Sequence, residues 1–174
     1  MPAGKQVFIE VKTGPEIVPA LLEVLHDSGV PRTRVSVLGF DAQVVCALKA
    51  QDPASTWGPE GSGASGPAGS PAATGAGTVN WLTAFDPNAL GKRPPPHDEQ
   101  IMQALAACGA DGLGCEALVG RVDRPLVEML RKRGLGFHVW TVNDPQAGKY
   151  FMDLGADSLT TDHPGALREQ LGLG

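Results

Sequence analysis

Gly136-Phe-His-Val-Trp-Thr-Val-Asn-Asp-Pro145, answered by Leu154-Gly-Ala-Asp-Ser-Leu-Thr-Thr-Asp-His-Pro164, is the part of the sequence that decides the fold. Phe137 to Val142 is rich in β-branched and aromatic residues and reads as a strand. Asp144-Pro145 then opens a helix, since aspartate is a good N-cap and proline is tolerated in a first turn. Ala147, Tyr150, Phe151 and Leu154 fall at i, i+3, i+4 and i+7, which makes one apolar stripe, and Gly155 stands where a left-handed glycine ends a helix. Ser158 to Thr161 reads as a second, short strand. A strand, a covering helix and another strand within about thirty residues form a βαβ unit, which implies a parallel sheet with helices packed on it.

The same alternation extends toward the N-terminus. Asp123 and Pro125 start a helix that carries Leu126, Met129 and Leu130 and stops at Gly134. Gly112 to Val119 reads as a strand interrupted by Gly114. A proline-rich loop, Lys92 to Pro96, leads to a helix from Asp98 with Ile101, Leu105 and Cys108 on one face, preceded by a strand over Val79 to Phe85. In the first third, Gln6 to Lys12 alternates, with Val7, Ile9 and Val11 on one face and Phe8, Glu10 and Lys12 on the other. Thr13-Gly-Pro-Glu16 has the form of a capping box, and Ile17, Val18, Leu21, Leu22 and Leu25 give the following helix a buried stripe up to Gly29. Arg34 to Phe40 is a strand and Asp41 to Ala50 a helix with Val44, Val45 and Leu48 inward. Gly165 to Leu171 closes the chain as a last helix. The count is six strands and six helices.

Asp52 to Thr78 breaks the rhythm. It is almost entirely Gly, Ala, Ser, Pro and Thr, with Trp57 its one aromatic residue, and such a segment buries too little apolar area to offset the entropy of ordering. We expect residues 52–78 to be a disordered insertion within one domain spanning 1–174, because the alternation resumes afterwards; the alternative is a linker between two domains. The 174 residues, 42% of them hydrophobic, suffice for one packed core. The net charge of −5 and the scattered lysines and arginines exclude a nucleic-acid surface. No apolar run has membrane-spanning length. Cys46, Cys108 and Cys115 have no metal-ligand spacing and read as buried thiols.

Glu10 and Lys12 lie two apart on one strand, so their side chains share a face. A carboxylate there suits a hard cation and an ammonium suits a phosphate oxygen, while an exposed face of an edge strand would carry the same pair for solubility alone. Trp140 shares a strand face with His138. Asn143 ends its strand as a ligand donor or as the start of the helix, and Asp162 in its Thr-Asp-x-Pro turn reads as an aspartate that ties down backbone.

Val139-Trp-Thr-Val-Asn143, then Leu-Gly-Ala-Asp157, then Thr161-Asp-His-Pro164 resembles the last two strands of the glycerophosphodiester phosphodiesterases. Phe8-Ile-Glu-Val-Lys12 is similar to a further strand motif of that family. The resemblance implies a (β/α)8 barrel, here an incomplete one of about six β/α units, and hydrolysis of glycerophosphodiesters to glycerol 3-phosphate and an alcohol. It implies Glu10 as a ligand of a divalent metal, Mg2+ or Ca2+, Lys12 at the phosphate, and Trp140 in the wall of the substrate pocket. Leu38-Gly-Phe40 departs from the family's serine-phenylalanine at Gly39.

A larger departure is an absence. The family's catalytic histidines lie in a His-Arg-Gly and a His-Asp motif near its first two strands. This sequence has no His-Arg-Gly, and its one His-Asp, His97-Asp98, follows three prolines and opens a late helix, so no catalytic residue is carried over. The expectation is therefore the C-terminal part of such an enzyme, corresponding to strands three to eight. The alternative is a non-catalytic remnant acting as an interaction module. Partners expected are a small-molecule glycerophosphodiester and, through the open sheet edges, other copies of the chain. Met1 to Lys5 lacks the apolar core of a signal peptide, and the cytoplasm is the expected compartment.

Overall fold

The computed structural model describes residues 5–51, 77–85 and 95–173. Six strands and six α-helices alternate: β1 Val7–Val11, α1 Val18–Asp27, β2 Val35–Gly39, α2 Ala42–Gln51, β3 Thr78–Thr83, α3 Asp98–Cys108, β4 Gly112–Glu116, α4 Arg124–Arg131, β5 Gly136–Trp140, α5 Pro145–Leu154, β6 Ser158–Leu159 and α6 Pro164–Gln170. The strands form one sheet in the order β1-β2-β3-β4-β5-β6, and every neighbouring pair is parallel. This is the incomplete barrel expected from the sequence, with β1 and β6 at its two edges.

The register fixes two faces. Ile9, Val37 and Val79 lie in one row, and Val11, Leu113 and Phe137 lie in another with Gly39 and Trp81. These side chains pack under the helices with Val44, Val45, Leu48, Ile101, Leu105, Leu126, Leu130 and Phe151 as the core. Each fully buried Leu- or Phe-sized side chain contributes about 1.5–3 kcal/mol. The other face carries Glu10, Leu38, Asn80, Gly112 and Gly136 in one row and Leu82, Gly114, His138 and Ser158 in another. It is concave, because rings three and four strands apart meet across it: Phe40 with Trp140 at 5.4 Å and Phe8 with His138 at 6.4 Å between centroids.

Two helix-to-strand turns share one construction. Gly109 and Gly155 end α3 and α5 in left-handed conformation, and Ala110-Asp111 and Ala156-Asp157 follow. Asp111 accepts from the Val79 amide at 2.7 Å and pairs with Lys49 at 2.8 Å. Asp157 accepts from the Phe137 amide at 2.7 Å and pairs with Arg131 at 2.9 Å. Each aspartate thus bolts the entry of a strand to the entry of the next.

Several boundaries differ from expectation. The capping box does not form: Glu16 folds back onto the Gly14 amide at 3.1 Å, a 3-10 turn Pro15–Ile17 precedes α1, and Ile17 is 39% exposed because that turn swings it off the buried stripe. β4 stops at Glu116, opposite the last residue of β5, and β6 has two residues, paired with His138 and Val139 of β5. Residues 52–76 of the expected insertion lie outside the described residues, as does most of the proline-rich loop, and β2 pairs directly with β3 across that interval. Thr78 already belongs to β3. Gly77 sits so close to β2 that a Cβ there would come within 2.9 Å of the Val35 carbonyl oxygen.

The reading of three free thiols is corrected as well. Cys115 is a buried free cysteine, but Cys46 and Cys108 form a disulfide. They lie 62 residues apart, and only the packing of α2 beside α3 on the outer face brings them together. Among the described residues no helix is long and apolar enough to cross a membrane.

Candidate functional site

Because all six strands are parallel, their carboxyl ends open on one rim, the end at which barrels of this kind place their sites. Alternation along β1 sends Glu10 toward the concave face, and Lys12 follows it one step beyond the strand. The two side chains approach to 3.6 Å, with Lys12 76% and Glu10 37% exposed. An ion pair this wet is worth no more than about 1 kcal/mol, so both groups are free to exchange it for a ligand.

The pair opens on a cleft of about 420 Å³ lined also by Thr13, Gly14, Phe40 and Asp41. Phe40 is 45% exposed, and its ring meets that of Trp140 edge to face at an interplanar angle of 76°. Its carbonyl oxygen accepts from the Trp81 indole at 3.0 Å. Asp41 Oδ1 accepts from the Gln43 amide at 2.8 Å, which caps α2. The structure thus brings Glu10 and Lys12 together on one cleft and joins Trp140 to it through Phe40. The Trp140 Nε1 is buried without a hydrogen-bond acceptor.

Asn143 does not start the helix. The helix cap is Asp144, which accepts from the amides of Gln146 and Ala147. The Asn143 amide instead donates to Asp162 at 2.8 Å and accepts from the Thr161 hydroxyl and the Asp162 amide at 3.0 Å each. It clasps the β6–α6 turn to the end of β5. The asparagine, not Asp162, therefore does the tying, because its side chain can donate and accept at once.

Glu116 was missed by sequence reasoning. It ends β4 beside Trp140 in register, and its carboxylate accepts from the Phe85 amide at 2.9 Å. Its alternation with Gly112 and Gly114 was the available signal, hidden by the glycines. His138 lies deeper on the concave face, where Nδ1 meets Ser158 Oγ at 2.9 Å. Burial holds its pKa below the ordinary imidazole value, with Asp157 opposing that and Arg131 adding to it. Burial also pushes the Cys115 thiol up to about 12, which removes it as a nucleophile. His97 and His163 are exposed at the starts of α3 and α6, and neither lines the cleft.

The cleft's donors do not make a metal site by themselves. Among the described residues no group of three or more His, Cys, Asp and Glu could hold an ion. A hard divalent cation takes six or more oxygens, whereas the cleft has two carboxylates, one already paired with Lys12 and one engaged in a helix cap.

The family described as the glycerophosphoryl diester phosphodiesterase family matches residues 6–166. No curated protein matches the chain. Among solved structures, a protein of Silicibacter pomeroyi DSS-3 superposes with TM-score 0.69 at 20% identity over 95% of this chain and 50% of that one. A phosphodiesterase of Oleispira antarctica, solved with the product sn-glycerol-3-phosphate, gives 0.63 at 16% over 96% and 55%. A glycerophosphodiester phosphodiesterase of Thermotoga maritima gives 0.63 at 16% over 100% and 60%. The chain therefore spans between half and three fifths of the length of these structures, and at such identities the likeness is one of fold.

Proposed function

The chain belongs to the glycerophosphoryl diester phosphodiesterase family, and from that premise we propose that it supplies the phosphate-facing part of a site that hydrolyses glycerophosphodiesters to glycerol 3-phosphate and an alcohol. The observation that carries the reading is the Glu10–Lys12 pair on a rim cleft walled by Phe40 and Trp140. In this reading Lys12 neutralises a phosphate oxygen as a compact point charge. Glu10 contributes one carboxylate toward a divalent cation, magnesium or calcium. Trp140, with Phe40, forms the apolar wall that excludes water from one side of the substrate.

Cleavage breaks the bond between phosphorus and the alcohol oxygen. It needs a base for the attacking oxygen and an acid for the leaving one, each worth about 10²–10⁴ in rate. No histidine lines the cleft, so these roles fall to groups beyond its residues, and the chain's own share of the work is binding and orientation. The incomplete metal donor set gives the rival reading its footing: a module of this fold that binds a phosphate ester without turning it over. The sheet edges at β1 and β6 form part of the same proposal, as surfaces for association with other chains.

The test is titration of the chain with sn-glycerol 3-phosphate, followed by calorimetry and by amide chemical shifts. Saturable binding that perturbs the amides of residues 10–14 and 40–41 is expected. Lys12→Met should weaken it about tenfold or more, since a hydrogen bond to a charged group is worth about 1.5–3 kcal/mol. Absence of binding, or equal binding by Lys12→Met, sinks the assignment. Release of an alcohol from glycerophosphocholine, measured on the same samples, separates the enzyme from the binding module.

A further inference from the structure

The cleft's Phe40–Asp41 wall is the turn that starts α2, and α2 is anchored from behind. Asp41 holds the helix start through its carbonyl, which accepts from the amides of Val44 and Val45 at 3.1 and 3.3 Å, and through Oδ1 on the Gln43 amide. One turn into the helix stands Cys46, joined to Cys108 at the last position of α3, and Cys108 Sγ lies 3.2 Å from the Ala42 carbonyl oxygen. The disulfide therefore ties α2 to α3 at the fifth of its ten residues, and Cys108 Sγ rests on the carbonyl of the helix's first residue. The far half of α2 has its own anchor in Leu48, 2% exposed, and in the ion pair of Lys49 with Asp111. Both cysteines are only partly buried, unlike Cys115, so this bond is within reach of a reagent from solvent.

We propose that the Cys46–Cys108 disulfide is a reversible brace that sets how firmly the Phe40–Asp41 wall of the cleft is held. The reductant is a dithiol, either a protein with two cysteines or a small molecule. One of its thiolates attacks a sulfur of the pair, the S–S bond breaks, a mixed disulfide forms, and the released cysteine takes a proton. The second thiolate of the reductant then displaces the other cysteine, which is protonated in turn. Two electrons and two protons have moved, and the reductant leaves as a disulfide. In the reduced chain α2 keeps its buried Val44, Val45 and Leu48, so the fold persists. The helix loses its covalent tie at Cys46, and the turn before it is left with the contacts of Phe40 to the Trp81 and Trp140 indoles.

The experiment is amide hydrogen exchange on the full chain, oxidised with a glutathione disulfide buffer or reduced with dithiothreitol. Alkylation and mass spectrometry count the thiols in each sample. Oxidised chain should show one reactive thiol after denaturation and reduced chain three, matching the three cysteines of the sequence. Reduction should speed exchange at the Gln43, Val44 and Val45 amides by about tenfold or more through local opening, with the β4 and β5 amides unchanged. A Cys46→Ser, Cys108→Ser double variant should exchange like the reduced chain and ignore dithiothreitol; if it does not fold, the reduced natural chain carries the comparison. Three thiols in the oxidised sample, unchanged exchange at the start of α2, or a uniform rise over the whole sheet would each overturn the proposal. Because the readout is backbone exchange, it stands apart from the phosphodiester reading and does not fail with it.

Discussion

Gly112 and Gly114 make room on the concave face in different ways, and the difference can be measured. A Cβ on Gly112 would come within 2.6 Å of Asn80 Oδ1 and 2.8 Å of the Gly136 carbonyl oxygen, and backbone cannot step aside. On Gly114 it would come within 2.4 Å of Leu82 Cδ2, the end of a side chain that can rotate away. Gly112→Ala is therefore expected to cost about 2–3 kcal/mol and Gly114→Ala about 1 kcal/mol, read from urea midpoints; the opposite order would mean that the concave face is not packed as described. His138 gives a pH dependence. Burial holds its folded pKa below the unfolded value near about 6.5, so as pH falls through that value the unfolded chain takes up a proton that the folded chain refuses, and stability drops. Comparing His138→Gln with the natural chain between about pH 7.5 and 5.5 should flatten that loss, and parallel curves for the two would contradict it. At this scale the sequence showed the facing of Glu10 and Lys12, because alternation along a strand is a local rule. It could not show the clasp made by Asn143, whose partners lie 18 and 19 residues away and are chosen by the sheet.

Among the elements, the Gly-Ala-Asp turns carry more than punctuation. Gly155 was legible as a helix end, since glycine accepts a left-handed conformation that other residues rarely adopt, and Gly109 ends α3 in the same way without having been singled out. What each aspartate holds was not legible, because its partners come from a neighbouring unit: the Val79 or Phe137 amide and the Lys49 or Arg131 side chain. Asp157→Ala removes both contacts and leaves the amide of the fully buried Phe137 unpaired, so a loss of about 2–4 kcal/mol is expected. Asp157→Asn keeps an acceptor for that amide and should cost less than half as much, and the same ordering should hold at Asp111. Equal losses for Ala and Asn would assign the stability to the ion pairs and not to the strand entry. Strand ends were the least legible feature, as for β4, because the point at which a strand leaves the sheet depends on where its neighbour stops.

For the whole molecule the deciding quantity is the number of strands. A barrel of this family type closes with eight, and strand number, tilt and stagger are linked, so six strands with that curvature cannot meet edge to edge. The six-unit count was legible because each unit repeats one local pattern of strand, cap, stripe and glycine. The curvature was not, since it lies in contacts such as Phe8 with His138 that join the first strand to the fifth. β1 and β6 stand at the ends of the sheet order, and Phe8 and Phe40 are each 45% exposed on the concave side. Open parallel edges beside exposed aromatic rings recruit other chains. The chain expressed by itself is therefore expected to associate with increasing concentration, seen as a rising weight-average mass in light scattering, and to release no measurable glycerol 3-phosphate from glycerophosphocholine. Lysine at Phe8, the exposed aromatic residue of β1, should reduce the association, and circular dichroism alongside the scattering checks that the fold is kept. A concentration-independent monomer with metal-dependent hydrolysis would refute this. It would also move the acid-base work to His97 or His163, which stand at the rim end of the sheet, and His97→Gln and His163→Gln would then show which of the two performs it.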